Sequence, residues 1–140
     1  MATFTSQIFE TLTLNGDKIN GSVTNIINNI NYVDTRVLNV PSGSVTTIFS
    51  FDSLPGAGTF VTSSVQYVRV TNNSTTVPVK LIVSSSVEAM SYLIATGSSY
   101  MLSTTKVTGS TLGFNFNDIK SVKVEPSGSA ASVEYYIATT

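Results

Sequence analysis

Eight carboxylates, seven cations and six tyrosines carry most of the chemistry this chain could do; it has no histidine, cysteine or tryptophan. Without histidine, Ser-His-Asp and Cys-His arrangements are ruled out. General acid–base work near neutral pH would fall to carboxylates shifted by their surroundings. Those carboxylates, Glu10, Asp17, Asp34, Asp52, Glu88, Asp118, Glu125 and Glu134, stand singly along the chain. A glycosidase-like pair would have to be assembled in space, and the plainer reading is solvated carboxylates on outward faces and loop ends. Asn15-Gly16-Asp17-Lys18 and Asn117-Asp118 are rich in oxygen ligands. They lack the spacing of a calcium loop and read as turns. Pro55-Gly56-Ala57-Gly58 is glycine-rich, but no lysine follows it and no helix is signalled, so it reads as a flexible loop and not a phosphate cradle. The chain is therefore expected to have no catalytic residue, no cofactor and no metal, and not to be an enzyme.

The side chains that remain suit recognition. Tyr32, Tyr67, Tyr92, Tyr100, Tyr135 and Tyr136 have three readings: core residues with a satisfied hydroxyl, anchors at a protein interface, or stacking platforms for sugar rings. Asp34 and Arg36 lie two apart and so share one strand face; they form a local ion pair or recognise a partner across a subunit boundary. The candidate interface residues are Tyr32, Asp34, Arg36, Tyr67, Arg69 and Tyr136. Nucleic acid is not an expected partner. The cations Lys18, Arg36, Arg69, Lys80, Lys106, Lys120 and Lys123 are scattered and the net charge is −1, whereas nucleic-acid binding needs a clustered basic footprint.

The elements that must position these residues are strands. About three residues in ten are serine or threonine, set among valines in two-residue alternation, which is the texture of pleated, half-buried surface. Segment 19–31 comes closest to a helical period, through Val23, Ile26, Ile27 and Ile30, but its asparagines, β-branched residues and the Asn20-Gly21 turn pair argue against a long helix and leave room for a short helical turn only. Strands are expected over 4–14, stopped by Asn15-Gly16, then over 32–40, 45–51, 65–71, 77–84, 90–96, 100–104, 119–125 and 132–138. In 45–51, alternation puts Val45, Thr47, Phe49 and Phe51 on one face. The strands 65–71 and 77–84 read as a hairpin around residues 72–76. Val77, Val79, Leu81 and Val83 make one apolar face, and Pro78 marks an edge or a strand beginning. Segments 53–59 and 105–118 read as loops.

Eight or nine short strands at about 8–12-residue spacing predict an all-β antiparallel sandwich, jelly-roll-like, with an immunoglobulin-like sandwich as the alternative, as a single domain over residues 1–140. Strands such as VTTIFSF and SYLIATG carry none of the lysines, prolines or bulges that protect a free edge. They are tolerable if copies of the same chain or a larger shell cover them, so a homo-oligomer, such as a trimer, or a component of a larger assembly is expected. No apolar run approaches the roughly 18 residues that span a bilayer, and no membrane partner is expected. The N-terminal segment lacks the basic and apolar regions of a signal peptide, so a mature soluble product is expected. The glycosylation-like patterns at Asn20, Asn72 and Asn73 read as turns.

Three segments, VQYVRVTNNSTTVPVKLIV, SYLIATGSSYML and IKSVKVEPSGSAASVEYYIATT, together resemble small structural proteins of tailed bacteriophages and related aquatic viruses. The matching features are the turn from Arg69 to Asn72, the strand–glycine turn–strand from Leu93 to Leu102, and the EYYIA strand from Glu134 to Ala138. The N-terminal half shares only general texture. The resemblance implies a β-sandwich on a virion: a capsid decoration (cement) protein, or a fibre or tail component, with the chain itself and a major capsid or other virion protein as partners. Its place would be the virion, after synthesis in the host cytoplasm. The alternative is a carbohydrate- or cell-surface-binding module of a viral fibre or tail.

Overall fold

The computed structural model describes residues 2–86, 88–103 and 119–140. Among them the chain forms only strands and one short 3-10 turn, in the order β1 (Ala2–Leu14), β2 (Asp17–Ile30), β3 (Tyr32–Val40), β4 (Thr46–Asp52), β5 (Thr59–Val61), the turn Thr62–Ser64, β6 (Val65–Asn72), β7 (Val79–Ser85), β8 (Ala89–Ile94), β9 (Ser99–Ser103), β10 (Ile119–Pro126) and β11 (Ala131–Thr139). The loop expected over 105–118 lies outside the described residues. Eleven strands replace the eight or nine expected. The whole of 17–30 is a strand, so Asn20-Gly21-Ser22 is not a turn, and a short strand closes the loop after Asp52.

The strands form three sheets: the pair β1-β2, a five-stranded sheet β5-β4-β10-β7-β8 and a four-stranded sheet β3-β11-β6-β9. All pairings are antiparallel except β4 with β5, which run parallel over three residues, so the architecture is mixed. Buried side chains from both larger sheets form one hydrophobic cluster. Phe49 of β4 meets Tyr135 of β11 there, with ring centroids 5.3 Å apart. As alternation predicts, Val77, Val79, Leu81 and Val83 are all buried, as are Val133, Tyr135 and Ile137.

Two expectations fail for identifiable reasons. Strands β6 and β7 do not form a hairpin: β6 pairs with β11 and β9, and β7 with β10 and β8. Residues 73–78 carry the chain from one sheet to the other. Nor do Val45, Thr47, Phe49 and Phe51 share a face. An extra residue on β4, between the pairs Val122–Phe49 and Lys123–Thr47, makes a bulge that turns Ile48 and Phe49 both into the core. Val45 and Thr47 remain exposed. The bulge also bears on the edge argument, since VTTIFSF is expected to carry none; beside it β5 pairs only with Ser50–Asp52, whereas SYLIATG lies on the edge strand β8.

The crossing after β6 is organised by Asn72, which is fully buried. Its amide nitrogen donates to the carbonyls of Val77 (2.9 Å), Ile94 (3.2 Å) and Ala95 (3.3 Å). Its Oδ1 accepts from the Ser74 amide at 3.0 Å, and its backbone pairs with Ser98 and Gly97. One side chain thus ties the β6–β7 crossing to the β8–β9 corner. Replacing it orphans several buried peptide groups, each costing about 1–3 kcal/mol. Asn72→Ala is expected to lower the unfolding free energy by about 3 kcal/mol, measured by urea denaturation. A loss within the range of an ordinary surface substitution would show that these bonds do not hold the corner.

Candidate functional site

The six candidate interface residues fall into two separate places. Tyr32, Asp34 and Arg36 come together on β3, which is an edge strand. Together with the Pro55–Gly58 loop, β5, Ser64, Thr139 and Thr140 they line a cavity of about 480 Å³. Both β3 and β5 are sheet edges, and the cavity opens between them. The size lies within the range of small-ligand pockets, about 300–1,000 Å³.

The predicted ion pair between Asp34 and Arg36 is present, with Arg36 Nε 3.3 Å from Asp34 Oδ2. The two side chains differ in exposure, 13% for Asp34 and 55% for Arg36. The carboxylate is therefore the fixed member and the guanidinium the one presented to solvent. A third group fixes the carboxylate further: the Tyr135 hydroxyl, on the buried face of β11, donates to Asp34 Oδ2 at 2.9 Å. Nothing in the sequence linked Tyr135 to Asp34, because they lie 101 residues apart. The only signal was the alternation that turned Tyr135 inward.

Burial, and then the hydrogen bond to the Asp34 carboxylate, push the Tyr135 phenol up to about 12. Arg36 is held above its ordinary value by Tyr135 and then by Asp34. Neither group can exchange a proton near neutral pH. The arrangement offers hydrogen bonds, a charge pair and the exposed ring of Tyr32 to a ligand.

Tyr67, Arg69 and Tyr136 lie elsewhere, on the outward face of the four-stranded sheet, where Tyr136 pairs with Arg69 and Ala138 with Tyr67. The base of the β1-β2 ribbon covers them. Phe4 stacks on Tyr67 (4.7 Å) and Tyr136 (5.6 Å), and Ile27 and Ile30 join Tyr67 and Ala138 in a second buried cluster. Arg69 forms an ion pair with Glu134 and lies over the Tyr136 ring, 5.9 Å from its centroid. Its Nε is buried with no hydrogen-bond partner among the described residues. These three residues thus support the ribbon. Tyr92 and Tyr100, from the two larger sheets, stack on each other at 4.8 Å. Burial and the contact with Tyr92 raise the Tyr100 phenol.

No protein family and no curated protein matches the chain.

The feature that sequence reading missed is the ribbon itself. β1 and β2 pair in unbroken register from Phe4–Ile27 to Leu14–Asp17. Asn15 and Gly16 close them with φ of 51° and 90°, the conformation a two-residue hairpin turn requires. Opposed residues share a face, which puts Ile8, Leu12 and Leu14 beside Val23 and Ile19. All five are exposed. The signal was available as 4–14 alternation and the Asn15-Gly16 turn, but nothing in it showed that the paired strands leave the body.

Stability should carry the mark of the buried phenols. A phenol neutral to about pH 12 in the folded chain but to about 10 when unfolded ionises first in the unfolded state. The unfolded chain then binds fewer protons, so stability falls as pH rises from about 10 to 12. Tyr135→Phe is expected to make that fall shallower without abolishing it, because the raised Tyr100 acts with the same sign. Urea midpoints across this pH window measure it; an unchanged slope would sink the assignment.

Proposed function

We propose that this chain is a non-enzymatic structural protein of a virion, a single-domain jelly-roll-like sandwich that decorates a capsid. It works by surface complementarity with the shell and with its own copies, as a homo-oligomer such as a trimer. The strand orders carry the proposal. The sets β3-β11-β6-β9 and β4-β10-β7-β8 match the strand orders expected of an eight-stranded jelly roll, which supports reading them as one, and that architecture is used in capsid proteins. Strand β5 and the ribbon are additions to it. The resemblance of residues 65–83, 91–102 and 119–140 to phage structural proteins points the same way, and so does a surface poor in charge. Many copies, each bound weakly, would add through avidity.

A second reading, a carbohydrate-binding module of a fibre or tail, draws on the cavity beside Tyr32. An exposed ring next to a fixed carboxylate–guanidinium pair is suited to stacking on a sugar and bonding its hydroxyls.

Immuno-electron microscopy with antibody to the purified chain, on particles from the culture that produces it, is expected to label the particle surface. Chain found only in the soluble host fraction would overturn the virion reading. Binding on a glycan array that Tyr32→Ala abolishes would move the function to the second reading.

A further inference from the structure

The β1-β2 ribbon has two halves. In the proximal half, Phe4 and Ile27 are seated on Tyr67, Tyr136 and Ala138, on the outward face of the four-stranded sheet. In the distal half the same ribbon face continues as Ile8, Leu12, Ile19 and Val23, which are 43%, 54%, 57% and 62% exposed. A two-stranded ribbon is at best marginally stable alone in water, and apolar side chains clustered in solvent mark an interaction site, here in two patches on either side of the Glu10–Gly21 pair. On the outward face of the receiving sheet, Val33 and Val37 of β3 and Met101 of β9 are also bare.

We propose that the distal half of the β1-β2 ribbon is a self-association arm that seats on the outward face of the four-stranded sheet of a second copy of this chain. The proximal contact shows that this ribbon face fits this sheet face, by aromatic and aliphatic packing. Within one copy the distal half stands clear of the body, and a second copy brings its bare stripe and the bare sheet residues together.

The area favours exchange. The distal half runs about 26 Å along the strands and is roughly 10 Å wide, and seating it once covers about 500 Å² counted on both partners. That is below the ~1,000 Å² of a specific interface. Reciprocal seating between two copies, each giving an arm and receiving the other's, reaches that size and leaves neither stripe bare. A closed assembly in which every copy does both follows.

The inference deepens the assembly reading above and rests on it only for contact between copies. The chain has no cysteine, which makes a cross-linking test clean. Single variants Ile8→Cys, Leu12→Cys and Leu14→Cys are each mixed with Val33→Cys or Val37→Cys and oxidised. At least one arm–sheet mixture is expected to give a reducible mixed dimer well above the yield of either variant alone. The wild type is expected to be an oligomer by light scattering, and Leu12→Glu/Ile19→Glu a monomer with an unchanged circular dichroism spectrum.

Cross-links that form only between arm variants would overturn arm-on-sheet seating. So would an oligomer that survives the double glutamate variant. A wild-type monomer at every concentration, with no cross-link, overturns self-association altogether. It would leave attachment to a shell standing, since particle labelling tests that separately.

Discussion

A chain that passes repeatedly between two sheets must, at every passage, leave the ladder that satisfies its backbone. Buried peptide groups without partners are too costly to keep, and a chain so poor in charged side chains has few long polar groups to send there. Asn72 meets this constraint at the most demanding point. Its amide serves three carbonyls from two different connections, and its oxygen takes the Ser74 amide. The β6–β7 and β8–β9 passages are therefore held to one buried side chain. The inward residues on both sides of it, Val70, Val77, Val79 and Ile94, are apolar and buried.

Bulges do comparable work elsewhere. On β4 one extra residue lets Ile48 and Phe49 both enter the core. On β2 the step from Ile27 to Ile30 opposes a shorter step from Phe4 to Ala2, and Asn29 takes up the difference with φ of 63°. Ile27 and Ile30 then both face the body at a spacing of three. That spacing looked helical in the sequence. It is in fact how a strand turns two consecutive inward residues onto one anchor while the ribbon beyond them leaves the sheet.

How far the sequence could be read follows from what alternation encodes. Period two tells which side of a strand is buried, and it placed Val77 to Val83 and Val133 to Ile137 correctly. It is silent on which strand lies alongside. Five residues between two strands look the same whether they close a hairpin or cross between sheets, so β6 and β7 were paired where the structure separates them. The site shows the same division. Asp34 and Arg36 were legible because i, i+2 geometry is local. The bond that steadies Asp34 comes from Tyr135, and the cover over Tyr67 and Tyr136 comes from the first thirty residues; both depend on contacts that no local pattern carries.

The exposed ribbon face poses a problem of its own, because an apolar two-stranded surface in water is a template for indiscriminate stacking. Glu10 sits midway along that face, between the Ile8–Val23 and Leu12–Ile19 pairs, opposite Gly21. With no side chain on Gly21, the carboxylate lies across it: a Cβ there would come within 3.2 Å of Glu10 Oε2. The charge is therefore held low on the surface instead of standing out from it. A partner that covers the whole stripe must keep this carboxylate hydrated or bring a cation to it, because burying it bare is too costly. Flat, uniformly apolar surfaces do neither, and so stacking of unrelated ribbons is penalised at its centre. The ribbon can be apolar enough to dock and still select what it docks on.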